Sequence, residues 1–302
     1  MFDKPKGGTE LMYDELMRRL PDNYKEDFSI FNYLPSADFT KKTIFWNQLS
    51  YDQAAIEPLK DPEVVAKIDH FVFVSHWQAE MFRKIFNIPG YKSTVIQNAH
   101  LGVGQRPAAA KDKVRLCYTS TPWRGLDVLL RAWEILQPKD CELHIFSSTQ
   151  IYGKDFAAVA EEGYKELYDK SKELEGVVYR GSIANEDLRK ELPTFDILAY
   201  PNTFEETSCI AVIEALSAGL RVVTSNLGAL PETTEGWARM YTYKVDGETH
   251  AQYFSMILEQ EILAIRQGKL SNHLQDQARY YGSKWSWENR IKEWNNYLDS
   301  LD

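Results

Sequence analysis

The 302-residue chain has only three cysteines, Cys117, Cys141 and Cys209, scattered and without a C-x-x-C pair. That pattern argues against a disulfide framework and a thiolate zinc site, and it fits a reducing compartment. The six histidines lack metal-ligand spacing and no Asp-x-Asp occurs, so no metal and no resident cofactor are expected. No apolar run approaches the roughly 18 residues of a membrane span, and MFDKPKGGTE lacks the basic-then-apolar order of a secretory leader. A cytoplasmic protein with at most peripheral membrane contact is expected. There is no basic block, and net charge is -9, so nucleic acid is not the expected partner.

What is present reads as globular. Hydrophobic residues make up 44% and charged residues 26%, which are ordinary values for a packed domain. The length suffices for two ordinary domains or one large one. Aromatics reach 13%, with eight tryptophans. Flat rings suit sugar faces, but core packing accounts for most aromatics.

Short apolar runs alternate with amphipathic stretches. DFSIFNYL (27–34), KTIFWNQL (42–49), HFVFVS (70–75) and STVIQN (93–98) predict strands. TELMYDELMRRL predicts a helix with Met12, Leu16 and Leu20 on one face and Thr9 as cap. HWQAEMFRKIF predicts another, with His76 packing at its start. Residues 98–113, rich in Gly, Ala and Pro, predict a domain boundary. The alternation then restarts, with strands at 113–120, 141–148, 176–182, 195–201 and 220–226 and helices between most of them. Strand-helix alternation implies parallel sheets with right-handed crossovers. The expected fold class is α/β, with Rossmann-like domains over 1–107 and 108–282. The tail SKWSWENRIKEWNNYLDSL predicts a terminal helix over 283–302, packed on its own domain or back on the first.

Two such domains bind ligands where the carboxyl ends of their sheets face each other, which directs attention to the loops after strands. ILAYPNT leaves Glu205 and Glu206 in a loop, and the helix that follows, Cys209 to Gly219, offers free N–H groups and a dipole that favour an anion such as a phosphate. An ionised Glu206 beside that anion would have to face a neutral part of the ligand, and Glu214, one turn into the helix, can accept hydrogen bonds from hydroxyls. The plainer alternative is an acidic first turn that stabilises its own helix. In CYTSTPWRGLDVLLRAW, Arg124 precedes a helix with Ser120 and Thr121 beside it, an arrangement that suits a diphosphate; a lone surface arginine is the alternative. Gly7 and Gly8 in KGGTEL permit close approach of backbone to a ligand, although turns use such pairs constantly.

In order along the chain, these residues resemble retaining glycosyltransferases of the GT-B fold, family-four (group 1) type. That family carries E-x7-E in the pattern P-S-x-x-E-G-F-G-x-x-x-x-E-A-x-A-x-G, and here PNTFEETSCIAVIEALSAG places Glu206 and Glu214 at the two acids. LRVVTSNLGALPE resembles the family's strand and glycine turn. RGLDVLLRAW is similar to K-G-x-x-x-L-L-x-A, VIQNAH to an interdomain asparagine turn, and KWSWENRIKEW to the terminal helix. The resemblance runs from about residue 70 onward.

The resemblance implies a metal-independent transfer from a nucleotide sugar to a carbohydrate acceptor. Glu206 would contact the transferred sugar and Glu214 the ribose. Arg124, Ser120, Thr121, Gly7, Gly8 and the N–H groups near Ser208, Cys209 and Ile210 would hold the diphosphate. Arg180, Ser182 and Ile183 would lie near the base. Where the family carries an arginine before its lysine, this chain has TSTPW, and Arg124 stands at the lysine position. Where many members carry a histidine near the sugar, the run IFWNQLSYDQ offers Asn47 or Gln48. Trp46, Tyr51 and Trp77 suit the acceptor side. The family's first strand normally precedes the Gly-Gly loop, and only six residues precede Gly7 here, so the expectation is either a minimal N-terminal domain or a chain that starts late. A UDP-sugar is favoured over a GDP-sugar because the diphosphate pocket rests on one arginine, and glucose is the expected sugar. The alternatives are a GT-B sugar-nucleotide epimerase and a non-catalytic nucleotide-sugar-binding subunit.

This reading separates the two acids. Glu206→Ala should retain nucleotide affinity and lose transfer, whereas Glu214→Ala should weaken nucleotide binding itself, as calorimetry beside a transfer assay would show. Wild-type behaviour of both variants would refute the E-x7-E assignment.

Overall fold

A computed structural model describes residues 7–104, 113–150 and 160–301. The expected boundary at 107/108 lies outside the described residues. Among the described residues ten strands form two sheets, β1 (Phe28–Phe31), β2 (Lys42–Asn47), β3 (His70–Phe73), β4 (Ser93–Val95), β5 (Val114–Tyr118), β6 (Cys141–Ile145), β7 (Val177–Tyr179), β8 (Ile197–Tyr200), β9 (Arg221–Ser225) and β10 (Arg239–Tyr241). The first sheet has order β1-β2-β3-β4 and the second β10-β9-β8-β5-β6-β7. All pairings are parallel. Nine strands fall within the stretches predicted from the apolar runs; three-residue β10, at the sheet edge, had no such run to announce it.

Period-two burial explains the first sheet. Ile44, Trp46 and Val72 face one cluster, and Phe45, Phe71 and Phe73 face the other. The second sheet is covered on both sides, so β8 is buried throughout, as parallel central strands require. The Leu126–Leu136 and Gly247–Arg266 helices belong to its core.

The first helix spans Gly8–Arg19 and buries Met12 and Leu16. Thr9 does not cap it. Gly7 is the N-cap, extended at φ -75° and ψ 177°, and no side chain bonds the first turn, so Thr9 already lies inside the helix. The His76–Phe86 helix is capped by Ser75, whose Oγ accepts the Gln78 N–H at 3.0 Å. His76 is not packed, its side chain being 81% exposed. Instead, Glu232 of the second lobe accepts the His76 N–H at 2.8 Å and the Trp77 N–H at 3.2 Å. A carboxylate at a helix N-terminus thereby ties one lobe to the other.

The terminal helix Trp287–Asp299 crosses back to the first lobe. Trp287, Trp294 and Leu298 share one cluster with Met12, Leu16 and Trp46, and the Trp46 and Trp294 rings meet edge to face at 5.2 Å. Arg290, 3% exposed, reaches the Asn98 carbonyl at 3.3 Å. Among the described residues no helix is long and apolar enough to cross a membrane.

Trp294→Ala should remove about 3–5 kcal/mol by opening a large cavity. The measurable outcome is a lower thermal midpoint together with proteolytic release of the C-terminal segment at protease levels that leave wild type intact. Cleavage at the wild-type rate would show that this helix does not hold the lobes.

Candidate active site

The carboxyl ends of the two sheets face each other across a cleft of about 560 Å³, a size typical of small-molecule sites. Loops after β1, β2, β5, β6, β7 and β8 all contribute to its wall, as the topology of open parallel sheets dictates. Gly7, Gly8 and Gln48 line it from the first lobe. Ser120, Thr121, Arg124, Ser182 and Ile183 line it from the second, with Glu206, Ser208, Cys209, Ile210 and Glu214.

Two glycines bring the central loops together. Gly125 has φ +107°, and a Cβ there would lie 2.1 Å from the Pro201 carbonyl oxygen. Gly228 has φ +63°, and a Cβ there would lie 2.6 Å from the Glu206 N and O atoms. Neither site accepts another residue without moving backbone. The gap kept by Gly228 lets the Ala229 N–H bond the Glu206 carbonyl at 2.7 Å.

Side chains then fix Glu206. Arg124 Nη1 donates to its Oε1 at 3.0 Å and the Tyr200 hydroxyl donates to the same oxygen at 2.5 Å. The Glu206 side chain is 5% exposed and that of Arg124 24%. Arg124 also lies over the Phe204 ring at 4.5 Å. Tyr118, beside Tyr200 at 5.9 Å between ring centres, holds the Thr121 carbonyl at 2.7 Å. Burial, followed by the Glu206 charge, keeps the Tyr200 hydroxyl protonated well above the usual tyrosine range, so it remains a donor. Glu206 was expected to face a neutral part of a ligand; the structure shows its charge offset in place by Arg124.

The Ile210–Ser217 helix begins after Cys209, and no side chain caps it. Burial holds the Cys209 thiol well above its ordinary range, so it stays uncharged. Beside this helix end, Thr121 Oγ1 and Ser208 Oγ are buried without a hydrogen-bond partner. Both residues line the cleft, and a buried hydroxyl without a partner calls for a water, an ion or another polar group nearby. Glu214 lies deeper and is 8% exposed. Burial pushes its carboxyl up to about 7, against the opposing pull of the Arg189 charge and the Leu101 N–H.

Two expected residues lie elsewhere. Asn47 is fully buried, absent from the cleft wall, and holds its own turn through Leu49 at 3.0 and 3.1 Å. A strand-end amide followed by a tight turn closes on its own backbone. Arg180 is also absent from the wall: it pairs with Glu191 at 2.8 and 3.1 Å and lies over Phe146 at 5.1 Å. Trp46 is buried under the terminal helix, whereas the Tyr51 hydroxyl crosses to Glu205 at 2.7 Å. Gln48 pairs its amide with Asn98 at 2.9 and 3.0 Å and accepts the Thr207 hydroxyl on its carbonyl at 2.9 Å. Sequence reasoning did not single out Tyr118, Tyr200, Thr207 or Arg189. The position of both tyrosines at the carboxyl ends of adjacent strands was the available signal.

With this geometry in view, the chain has the GT-B fold: two Rossmann-like sheets facing a cleft, as in its structural neighbours. Sucrose-phosphate synthase from Thermosynechococcus elongatus is similar at TM-score 0.67 and 16% identity, covering 97% of this chain and 78% of that one. A glycosyltransferase from Rickettsia africae aligns at TM-score 0.66 and 13% identity, covering 100% and 84%. HepE from Anabaena, in complex with UDP-glucose, aligns at TM-score 0.65 and 13% identity, covering 98% and 84%. No curated protein matches the chain in sequence. Residues 113–259, which hold Arg124, Glu206 and Glu214, match the family model described as glycosyl transferases group 1.

The raised carboxyl of Glu214 has a stability consequence. Between about pH 4.5 and about pH 7 the folded chain keeps this proton while the unfolded chain has released it, so stability from this site falls as pH rises. Glu214→Gln removes the titration. The melting temperature of the variant relative to wild type should therefore increase from about pH 5 to about pH 8, and a constant difference would rule the buried carboxyl out as the cause.

Proposed function

We propose that this chain is a metal-independent, retaining glycosyltransferase that moves a hexosyl group, glucose in the first instance, from a UDP-sugar to a carbohydrate acceptor. The observation that carries this reading is that Arg124, the uncapped Ile210–Ser217 helix and the unpartnered Thr121 and Ser208 hydroxyls belong to residues lining the same cleft as Glu206. A diphosphate satisfies all of them together. The glycosyl transferases group 1 match over 113–259 and the UDP-glucose complex of HepE support the donor class.

In this reading the ribose hydroxyls donate to Glu214, favouring its ionised form, and the base lies by Ser182 and Ile183. Arg124 and the N–H groups at Cys209 and Ile210 stabilise the negative charge that grows on the diphosphate as the sugar leaves. The bond from the anomeric carbon to the diphosphate breaks on the face where the acceptor oxygen attacks. The departing phosphate oxygen takes the acceptor's proton. Glu206, held by Arg124 and Tyr200, accepts hydrogen bonds from the transferred sugar.

Calorimetry and thermal shift with UDP, GDP, UDP-glucose, UDP-N-acetylglucosamine and GDP-mannose test this directly. Uridine nucleotides should raise the melting temperature by a few degrees at about 100-fold over Kd, with or without EDTA. Arg124→Ala should cut transfer by about 10²- to 10³-fold. Absence of binding by all five, or selective binding of the guanosine nucleotides, would overturn the assignment.

A further inference from the structure

Glu206 is fixed within the second lobe by Arg124, Tyr200 and the Ala229 N–H. Those contacts set it relative to the other second-lobe groups of the cleft. The cleft is lined by both lobes, so a carboxylate that works on a ligand there must also keep register with the first lobe. Register matters because a misplacement of about 1 Å at a reacting centre costs on the order of 10²-fold in rate.

Both chain neighbours of Glu206 reach one turn of the first lobe. The Tyr51 hydroxyl donates to Glu205 Oε2 at 2.7 Å, and the Thr207 hydroxyl donates to the Gln48 carbonyl at 2.9 Å. The turn that meets them is itself fixed. Fully buried Gln78 donates to the Leu49 and Asn47 carbonyls at 2.8 and 3.3 Å, and the Asn47 amide closes on Leu49. Gln48 exchanges two amide hydrogen bonds with Asn98, whose carbonyl is held by Arg290 of the terminal helix. On the other side of the loop, Gly228 packs against the backbone of Glu205 and Glu206. The hydrogen bond to Glu205, followed by burial, pushes the Tyr51 phenol up to about 12, so its hydroxyl stays a donor at neutral pH. Neither Tyr51 nor Glu205 is among the described residues that line the cleft. An effect of this pair on a bound ligand is therefore transmitted through the loop that carries Glu206.

We propose that Tyr51, seated on Glu205, is a positioning residue that holds Glu206 in register with the first lobe, with the Thr207–Gln48 bond as the second point of the clasp. The proposal rests on the donor reading above and adds the device that places its sugar-facing carboxylate.

The test uses the full chain with UDP-glucose. Turnover is read as UDP release with water as acceptor, and calorimetry compares UDP-glucose with UDP. Tyr51→Phe and Glu205→Ala should each lower kcat roughly tenfold, while UDP affinity and melting temperature stay near wild type. Glu205→Gln keeps an acceptor oxygen for the Tyr51 hydroxyl and should lose less than Glu205→Ala. The double variant of Tyr51→Phe with Glu205→Ala should be no slower than the worse single variant, because both changes remove one contact. In Tyr51→Phe and Glu205→Ala, UDP-glucose should also lose about threefold to fivefold in affinity relative to UDP. If wild type binds UDP-glucose without releasing UDP, that ratio decides alone, and an unchanged ratio overturns the proposal. Unchanged kcat in Tyr51→Phe would overturn it as well, as would additive losses in the double variant. A loss of UDP affinity as large as the loss in kcat would show general disruption of the cleft and refute positioning. Failure of wild type to bind any uridine nucleotide would instead refute the donor reading, and the positioning role with it.

Discussion

The contact on which the cleft depends is the ion pair between Arg124 and Glu206, closed from below by the Tyr200 hydroxyl. It joins the loop after β5 to the loop after β8 at the middle of the second sheet. The carboxylate is almost fully withdrawn from water, and such a group persists only when paired and hydrogen-bonded. Arg124 and Tyr200 meet both needs on one oxygen, while the Ala229 N–H fixes the backbone at the same residue. The close approach kept open by Gly125 and Gly228 is the steric condition for this arrangement. Thr121 and Ser208 line the same cleft, and their hydroxyls have no hydrogen-bond partner.

A second constraint is the joining of the lobes. The terminal helix leaves the second lobe and buries Trp287 and Trp294 in the first. Near the cleft, Tyr51 bonds Glu205, Thr207 bonds the Gln48 carbonyl, and Glu232 accepts the first N–H groups of the His76–Phe86 helix. These contacts span two separate hydrophobic cores. Their effect is to hold the first-lobe wall against the second-lobe loops across one cleft.

Much of this was legible in the order of residues. Period-two apolar runs announced nine strands because buried parallel strands leave little choice of residue. The E-x7-E spacing placed Glu206 in a loop and Glu214 one turn into a helix, which is a local consequence of chain geometry. The failures have a common origin. Asn47 and Arg180 have the chemistry of ligand-binding groups, but Leu49 and Glu191 supply nearer partners. Tyr118 and Tyr200 read as core aromatics, and only their hydroxyl ends, at the top of adjacent strands, touch the working loops. Thr9 has the composition of a cap, but the extended backbone of Gly7 already begins the helix.

The sequence by itself determined the alternation of strand and helix, the α/β class and the two acids with their helix, because these follow from hydrophobic period and local backbone preference. Only the tertiary structure decided which polar groups are consumed by neighbours and which are left facing the cleft. Hydrogen-bond satisfaction depends on partners distant in the chain: Arg124 meets Glu206 across 82 residues, and Gln48 meets Thr207 across 159. Such pairings are set by the packing of sheets and lobes, and no local pattern records them.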